Sequence, residues 1–378
     1  MRLIRHMLAL IALTALSACG AASVTGPTAP PPPPTAVPTP PNLSGRIAYV
    51  TRAQTAIMTI LPDGSDDRLL TTVLTTTGQI FTSLSASPDG QFLAYSRLGA
   101  SGGSALTVLR RDGSKVRDYN GIGAPAWSPD GQHFVAPIIE SEEPTNMYAV
   151  YPAGADQTVT PLARFDGTAS AWFPDGKRLA YVNGKDIYAF DLAAKSSQLL
   201  ANPPSGALVD WQVQSVYVQP DGARIWAYAG NFDSPGADGM RWWSLPPGGG
   251  ELEEQIERRG DFIAAQAFAP DGHTLGYVEW TLANTCDAPR ADKLYLSAVG
   301  AADQPAAEAA PLPGAGPYEI YGLTWEAGGG RLAFAAQPYD CNARRKLNFP
   351  NASIYVWPID GSQPPSKIAD GAYPAWIR

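Results

Sequence analysis

A short pattern that recurs six times along the chain constrains the fold more than any other feature of the sequence. Each copy has an apolar or aromatic residue, a turn of the Ser-Pro-Asp-Gly type and a strand-like run similar to Leu-Ala-Tyr. In such a turn proline presets the first φ angle, aspartate bonds the backbone two residues on, and glycine accepts a positive φ, so two strands fold back as a hairpin. The copies begin at Ala86, Trp127, Trp172, Val218, Phe268 and, in a degenerate form, Trp325.

A second kind of strand lies between these copies. It is visible as Ile187–Phe190, Leu294–Leu296 and Ile354–Trp357. Together the two kinds give four strands in a unit of roughly 45 to 50 residues, which is typical of a β-propeller blade. The sequence therefore predicts an all-β propeller. The nearest candidate for a helix, Glu251–Arg259, is predicted to be an outermost strand or a turn.

The two ends of this region complement each other. Tyr373–Arg378 repeats the strand that precedes the turn, and Gly45–Val50 repeats the strand that follows it. Pairing of the N- and C-terminal strands in one blade would close the ring without exposed sheet edges. Six internal units and this split unit predict a seven-bladed propeller of four-stranded blades. Six blades is the alternative if the Trp325 copy does not form a blade.

The repeat resembles that of a known group of propellers. The unit that starts at Trp127–Gly131 is similar to the repeats of TolB-like, WD-repeat-like propellers and of the propellers attached to prolyl-oligopeptidase-type enzymes. The resemblance covers nearly all of residues 45–378 and implies the propeller fold. It implies no single activity, because such propellers include scaffolds, sensors, peptidase gatekeepers and a few lyases. Neither an α/β domain ahead of the propeller nor a hydrolase domain after it is expected.

The start of the chain has the order of regions of a signal peptide. Arg2 and Arg5 precede an apolar run, Met7–Leu16, which is too short to span a bilayer as a permanent helix. The tetrad Leu16–Cys19 resembles a bacterial lipobox, so residues 1–18 are predicted to be a lipoprotein signal and Cys19 to carry acyl chains. An ordinary cleavage site with a coincidental cysteine is the alternative. We expect an extracytoplasmic protein of the cell envelope, anchored to a membrane by lipid.

Residues 19–44 are predicted to link this anchor to the propeller, which spans residues 45–378. The linker contains Pro30–Pro34 and further prolines, and residues 21–43 lack charge and apolar periodicity. Such a composition favours extended polyproline II, which acts as a semi-rigid spacer.

Charge and histidine content exclude several classes of function. The net charge is −8, and removal of a signal that contains Arg2 and Arg5 makes the chain more acidic, which argues against a nucleic-acid partner.

Beyond His6, the histidines are His133 and His273, in turns of different units. Two separated imidazoles cannot form a catalytic triad or a three-histidine metal site. No catalytic residue, metal or cofactor is predicted, although a Tyr/Arg or carboxylate mechanism stays open.

Two cysteines follow equivalent strands of adjacent units. Cys286 follows the strand at Gly276–Val278, and Cys341 follows the strand at Leu332–Phe334. In an oxidising exported compartment this placement predicts a Cys286–Cys341 disulfide, with two free thiols as the alternative.

The longest loops are expected on one face of the propeller, where loops between second and third strands meet the connections between blades. They are Glu140–Asn146, Asn231–Gly239, Thr281–Lys293 and Gln337–Asn351. Long loops on a rigid scaffold usually carry binding. The candidate binding residues on them are Glu140, Glu142, Glu143, Asp233, Asp238, Asp287, Arg290, Asp340, Arg344, Arg345 and Phe349.

These observations predict a monomeric, membrane-anchored binding or scaffold protein whose loop face takes a protein, peptide or glycan. One alternative is a propeller enzyme, a polysaccharide lyase or glycan hydrolase acting in the central funnel, and another is an envelope assembly or sensor subunit. Tyrosine, arginine and carboxylate side chains that converge in the funnel would favour the enzyme.

Overall fold

A computed structural model of the protein describes residues 43–73, 79–99, 103–121, 123–138, 147–155, 160–205, 211–231, 241–256, 262–280, 292–298, 307–309, 312, 317–339, 349 and 351–378. The predicted signal, Cys19 and nearly all of the linker lie outside the described residues. Within the described residues the regular structure is entirely β-strand, as predicted. None of these residues belongs to a helix long and apolar enough to cross a membrane.

The strands follow one another at the short intervals expected of hairpins. In chain order they are β1 (Ile47–Thr51), β2 (Ala56–Ile60), β3 (Arg68–Thr72), β4 (Ile80–Ala86), β5 (Phe92–Leu98), β6 (Ser104–Arg110), β7 (Lys115–Tyr119), β8 (Ala126–Trp127), β9 (His133–Pro137), β10 (Met147–Pro152), β11 (Ala163–Asp166), β12 (Ala169–Trp172), β13 (Arg178–Asn183), β14 (Asp186–Asp191), β15 (Ser196–Ala201), β16 (Trp211–Val218), β17 (Ile225–Asn231), β18 (Arg241–Leu245), β19 (Glu253–Ile256), β20 (Phe262–Phe268), β21 (Thr274–Trp280), β22 (Lys293–Ala298), β23 (Ala307–Glu308), β24 (Tyr318–Trp325), β25 (Arg331–Pro338), β26 (Ser353–Pro358) and β27 (Ser366–Trp376).

The strands form antiparallel sheets of the kind found in propeller blades. Five sheets have four strands each, namely β4–β7, β8–β11, β12–β15, β16–β19 and β20–β23. The segment predicted as an outermost strand or turn contains β19, at the edge of its sheet. The remaining strands form a single seven-stranded sheet in the order β24-β25-β26-β27-β1-β2-β3.

The prediction of seven separate four-stranded blades is therefore wrong for the described residues, which contain five. The reason lies in β27, an unusually long strand of 11 residues. Residues 366–370 pair with β26, and residues 371–376 pair with β1. Because β27 is unbroken, strands β24–β26 on one side of it and β1–β3 on the other belong to one sheet.

The predicted pairing of the two ends is confirmed. Ile47 pairs with Trp376 and Ala48 pairs with Ala375 in antiparallel register. The amide of Gly45 donates to the carbonyl of Ile377 at 2.8 Å, which extends the ladder beyond the strands. Backbone hydrogen bonds thus hold the N-terminal strand of the described fold to the C-terminal one.

The repeat turns have the local chemistry that the sequence predicts. The Asp89 carboxylate accepts the Ser87 hydroxyl at 2.6 Å and the Gln91 amide at 3.1 Å. The same bond, from the backbone amide two residues on, measures 2.8 to 3.0 Å in four further turns. They are the turns of Asp130, Asp175, Asp221 and Asp271.

The repeated tryptophans join neighbouring sheets. The Trp172 indole donates to the carbonyl of Ala126 at 2.9 Å, and the Trp325 indole donates to that of Ala267 at 2.9 Å. Each of these acceptors lies on the innermost strand of the preceding sheet. These two tryptophans therefore take part in the packing between neighbouring sheets. A buried aromatic of this size contributes about 3 to 5 kcal/mol, judged by truncation to alanine.

Candidate ligand-binding channel

The innermost strands of the sheets surround a central channel. Two adjoining cavities, of about 840 and 640 Å³, share the lining residues Pro88, Ala124, Tyr217, Pro220 and Arg378 among others. The walls come from β4, β8, β12, β16, β20, β24 and the C-terminal part of β27. Cavities of this size fall in the range used by proteins for small ligands.

The direction of the strands distinguishes the two ends of the channel. Each innermost strand that precedes a repeat turn runs toward that turn, so Pro88, Pro129 and Pro174 mark one end, which we call the turn end. The opposite end, called the loop end here, lies where the innermost strands begin. Tyr321 and Tyr373, which precede Trp325 and Trp376, lie on this side of the channel.

Three aromatic rings meet at the loop end and are named the mouth cluster. They are Tyr321, Phe349 and Tyr373. The ring centroids of Tyr321 and Phe349 are 4.0 Å apart at an interplanar angle of 28°, and those of Phe349 and Tyr373 are 5.7 Å apart at 79°. Pairs with this spacing contribute about 0.5 to 1.5 kcal/mol beyond their burial. The Phe349 ring thus lies against the channel wall.

Shifts in the register of strand pairing occur next to both Tyr321 and Tyr373. The pairing of β24 with β25 shifts register between Tyr321 and Thr324, and that of β27 with β1 shifts between Ala48 and Val50, where Tyr373 lies opposite. Tyr373 has a φ of 53°, which is uncommon for any residue other than glycine. Bulges of this kind change the direction of a side chain at the cost of local strain.

The two tyrosine hydroxyls of the mouth cluster differ in their hydrogen bonding. The Tyr373 hydroxyl donates to the carbonyl of Phe81 at 2.9 Å. The Tyr321 hydroxyl is buried and has no hydrogen-bond partner among the described residues. Burial raises the pKa of both hydroxyls above the usual value for tyrosine, so both stay uncharged at neutral pH.

Two further polar atoms, on residues that line the channel, are closed off from solvent and have no partner in the described part of the chain. They are Thr82 Oγ1, on β4, and Gln266 Oε1, on β20. The other end of the Gln266 amide is used, since its Nε2 donates to the Ser215 hydroxyl at 2.5 Å. Nearby, burial raises the pKa of Tyr217 to about 12. Among the described residues, the wall in this region combines apolar and uncharged polar side chains.

Charged side chains are scarce along the channel. Of the described residues that line the two cavities, Arg378 at the turn end is the one with a charged side chain. The described residues also contain no cluster of three or more histidine, cysteine, aspartate and glutamate side chains suited to a metal ion. The convergence of tyrosine, arginine and carboxylate that would favour an enzyme is not found among the described lining residues.

Of the residues predicted from the sequence, Phe349 alone lies within the described residues, and it belongs to the mouth cluster. Sequence reasoning missed Tyr321 and Tyr373, although a signal was present: each stands three or four residues before a repeat tryptophan. The remaining predicted residues lie outside the described part of the chain: Cys19, Glu140, Glu142, Glu143, Asp233, Asp238, Cys286, Asp287, Arg290, Asp340, Cys341, Arg344 and Arg345.

Comparison with known proteins supports the fold. No protein-family model matches the sequence, and no curated protein matches it. Among solved structures, the β-propeller domain of Cps50 (Swd1) from Myceliophteria thermophila is 12% identical, with a TM-score of 0.51, and the match covers 79% of this chain and 93% of that domain.

Two longer chains also match. One comes from a structural and mechanistic study of two prolyl endopeptidases, is 15% identical and has a TM-score of 0.56. The match covers 88% of this chain and 49% of the endopeptidase, so this chain spans about half of its length. TolB from Acinetobacter baumannii is 16% identical, with a TM-score of 0.48, and the match covers 89% of this chain and 67% of that one. The endopeptidase and Cps50 (Swd1) matches, at 15% and 12% identity, show a likeness of fold alone: a β-propeller.

Proposed function

We propose that this chain is a lipid-anchored, extracytoplasmic binding protein, and that it takes its ligand or partner at the loop end of the propeller channel without chemical conversion. The observation that carries the proposal is the mouth cluster. Phe349 belongs to one of the long loops predicted to bind, and it stacks on Tyr321 at a cavity of about 840 Å³. Aromatic side chains around a concave site are typical of binding surfaces.

The channel chemistry favours binding over catalysis. General acid–base chemistry needs a titratable group poised near the operating pH. The tyrosine hydroxyls of the mouth cluster have raised pKa values and hold their protons at neutral pH. Arg378 lies at the turn end, away from the cluster. A binding site therefore fits the described lining better than a lyase or hydrolase site does.

Site-specific photo-crosslinking in intact cells tests this assignment. A photoreactive phenylalanine analogue replaces Phe349 in one variant and Gln132, an exposed residue at the turn end, in a control variant. We expect a discrete adduct at position 349 that is absent at position 132. Equal labelling of both positions, or none at 349, would contradict a binding site at the loop end.

Membrane attachment is tested independently of the ligand. Cys19→Ala removes the proposed lipid acceptor, so the protein should move from the membrane fraction to the soluble fraction, and the wild-type N-terminus should carry acyl chains in mass spectra. An unlipidated N-terminus in the wild type would overturn the anchor and leave the proposed binding site standing.

A further inference from the structure

We infer that the turn end of the channel binds the carboxylate of a small organic acid with an apolar body, and that the guanidinium of Arg378 holds this carboxylate. The site lies at the opposite end of the channel from the mouth cluster, so it goes beyond the proposed function and does not depend on it. The position of Arg378, its lack of a counter-ion and the character of the surrounding wall carry the inference.

Arg378 lines both cavities of the channel and is accessible from them. It shares both linings with Pro88 and Pro220, which belong to the repeat turns after β4 and β16. Its backbone is held in place, because the Ser44 hydroxyl donates to the Arg378 carbonyl at 3.2 Å and this carbonyl lies against the turn at Gly90. Arg378 itself is exposed, so a dissolved ligand in the channel can reach it.

The Arg378 guanidinium has no counter-ion in the described part of the chain. No carboxylate there pairs with it, and no described oxygen accepts a hydrogen bond from it. The surrounding walls nevertheless exclude enough water to lower the pKa of the guanidinium below its ordinary value, and no charge among the described residues offsets this effect. Because arginine stays protonated at neutral pH, a partly desolvated positive charge is left unpaired. An anion in the channel would compensate it.

The charges at the turn end favour an anion with a single negative charge. Arg378 is the one described lining residue with a charged side chain, and its planar guanidinium matches the two oxygens of one carboxylate. The turn aspartates Asp89 and Asp130 do not line either cavity and are bonded within their own turns. Their negative charge near the site disfavours a phosphate group, which carries a charge of about −1.5 to −2 at pH 7.

The wall beside Arg378 is apolar, and this defines the rest of the ligand. Four prolines of repeat turns line this end: Pro88, Pro129, Pro174 and Pro220. A proline has no backbone N–H to donate to a ligand, whereas its ring packs well against hydrocarbon. A sugar acid would lose hydrogen bonds from its hydroxyls to water without replacing them on this surface. An acid with an apolar body therefore fits the turn end better.

Titration calorimetry with the full chain tests the inference. The probes are 4-phenylbutyrate, its uncharged amide 4-phenylbutanamide, acetate and inorganic phosphate. The amide keeps the shape of the acid without its charge, and acetate keeps the charge without the apolar body. We expect 4-phenylbutyrate to bind and the other three probes to bind at least about tenfold more weakly. The comparison of acid with amide uses the wild-type chain and needs no variant.

Substitutions of Arg378 then locate the site. Arg378→Gln removes the positive charge and should weaken 4-phenylbutyrate binding by about tenfold or more, whereas Arg378→Lys keeps the charge without the planar group and should weaken it less. Since the guanidinium makes no bond to described residues, Arg378→Gln should leave the melting temperature unchanged. Arg68→Gln is the matched control, because the Arg68 side chain is 60% exposed on the outer strand β3 and its loss should not affect binding.

Four results would overturn the inference: binding of no probe at about 5 mM, equal affinity for 4-phenylbutyrate and its amide, tighter binding of phosphate than of 4-phenylbutyrate, and equal affinity of Arg378→Gln and wild type for 4-phenylbutyrate. The crosslink at position 349 reports on the other end of the channel. Its presence or absence therefore decides the proposed function without deciding the carboxylate site, and calorimetry decides the carboxylate site alone.

Discussion

Ile47 pairs directly with Trp376, so residues at opposite ends of the described fold lie side by side in one sheet. Trp376 is 4% exposed, and the Arg331 guanidinium lies 5.3 Å from the centroid of its ring. The Ile47–Trp376 pair joins β1, the first strand of the described fold, to β27, the last one. It therefore helps to hold the propeller closed.

Trp376→Ala should lower the free energy of unfolding by about 3 to 5 kcal/mol, since it removes a buried aromatic and leaves a cavity at this junction. Urea unfolding followed by circular dichroism measures the change. Leu69→Ala is the control, because Leu69 is 58% exposed on the outer strand β3, and its substitution should change stability by no more than about 0.5 kcal/mol. Comparable losses in the two variants would contradict a structural role for the junction.

Replacing Gly131 of a repeat turn by alanine should destabilise the fold, because the new side chain would clash with a turn of the neighbouring sheet. Gly131 has a φ of +71°, and a Cβ there would lie 2.4 Å from the Asp89 carboxylate of the preceding turn. Gly184 has a φ of +62° with no atom within 4 Å of such a Cβ. Gly184→Ala should cost about 1 to 2 kcal/mol from the backbone alone, and Gly131→Ala should cost more. Equal melting temperatures for the two variants would show that the contact between turns is unimportant.

The Asp66 carboxylate should make the free energy of unfolding depend on pH in the acid range. Hydrogen bonds from Arg68 and from the buried Arg46 hold the pKa of Asp66 below its ordinary value of 3.8. Because the pKa of Asp66 is lower in the folded state than in the unfolded state, its carboxylate stabilises the fold fully at pH values above the unfolded-state pKa. This stabilisation is lost as the pH falls through the folded-state pKa. The stability difference between wild type and Asp66→Asn should therefore be largest near neutral pH and shrink below about pH 4. A difference that is constant between pH 7 and pH 2 would refute this coupling.

The repeat turns were predictable because their chemistry is local. Asp89 bonds groups two residues away on either side, and such contacts follow from neighbouring residues alone.

The number of separate blades could not be predicted, because it depends on contacts between strands that are far apart in the sequence. Asp370-Gly371 has the composition of a turn, yet it lies inside β27, where a Cβ at Gly371 would be 2.5 Å from the Tyr49 ring and from the Val50 carbonyl oxygen. Close approach of another strand, which the local sequence does not encode, keeps this segment extended.

The candidate site was predictable only in part for the same reason. Loop length and composition pointed to the face on which Phe349 lies. The position of the ring on Tyr321 depends on packing between residues far apart in the chain and on a register shift that no local pattern signals. Thr82 and Gln266 line one channel only because distant segments of the chain, β4 and β20, both contribute to its wall.

The predicted Cys286–Cys341 disulfide lies outside the described residues and can be tested directly. In protein isolated from the cell envelope without reductant, both thiols should resist alkylation, and a linked peptide pair should appear in mass spectra. Cys286→Ser together with Cys341→Ser should cost about 2 to 5 kcal/mol, because the bridge closes a long loop in the unfolded chain. Two alkylated thiols in native protein would show that the bridge does not form.

The two tyrosines of the mouth cluster should respond oppositely to loss of their hydroxyls. Tyr373→Phe removes a bond of 2.9 Å to the Phe81 carbonyl and leaves that buried acceptor unpaired, so it should lower the free energy of unfolding by about 1 to 3 kcal/mol. Tyr321→Phe removes a hydroxyl that has no partner among the described residues, so stability should hold or rise. Both variants keep the ring stacking with Phe349, which excludes lost aromatic contact as the cause of any difference. Equal destabilisation of the two variants in urea would mean that the Tyr321 hydroxyl is satisfied within the folded chain, contrary to the structure.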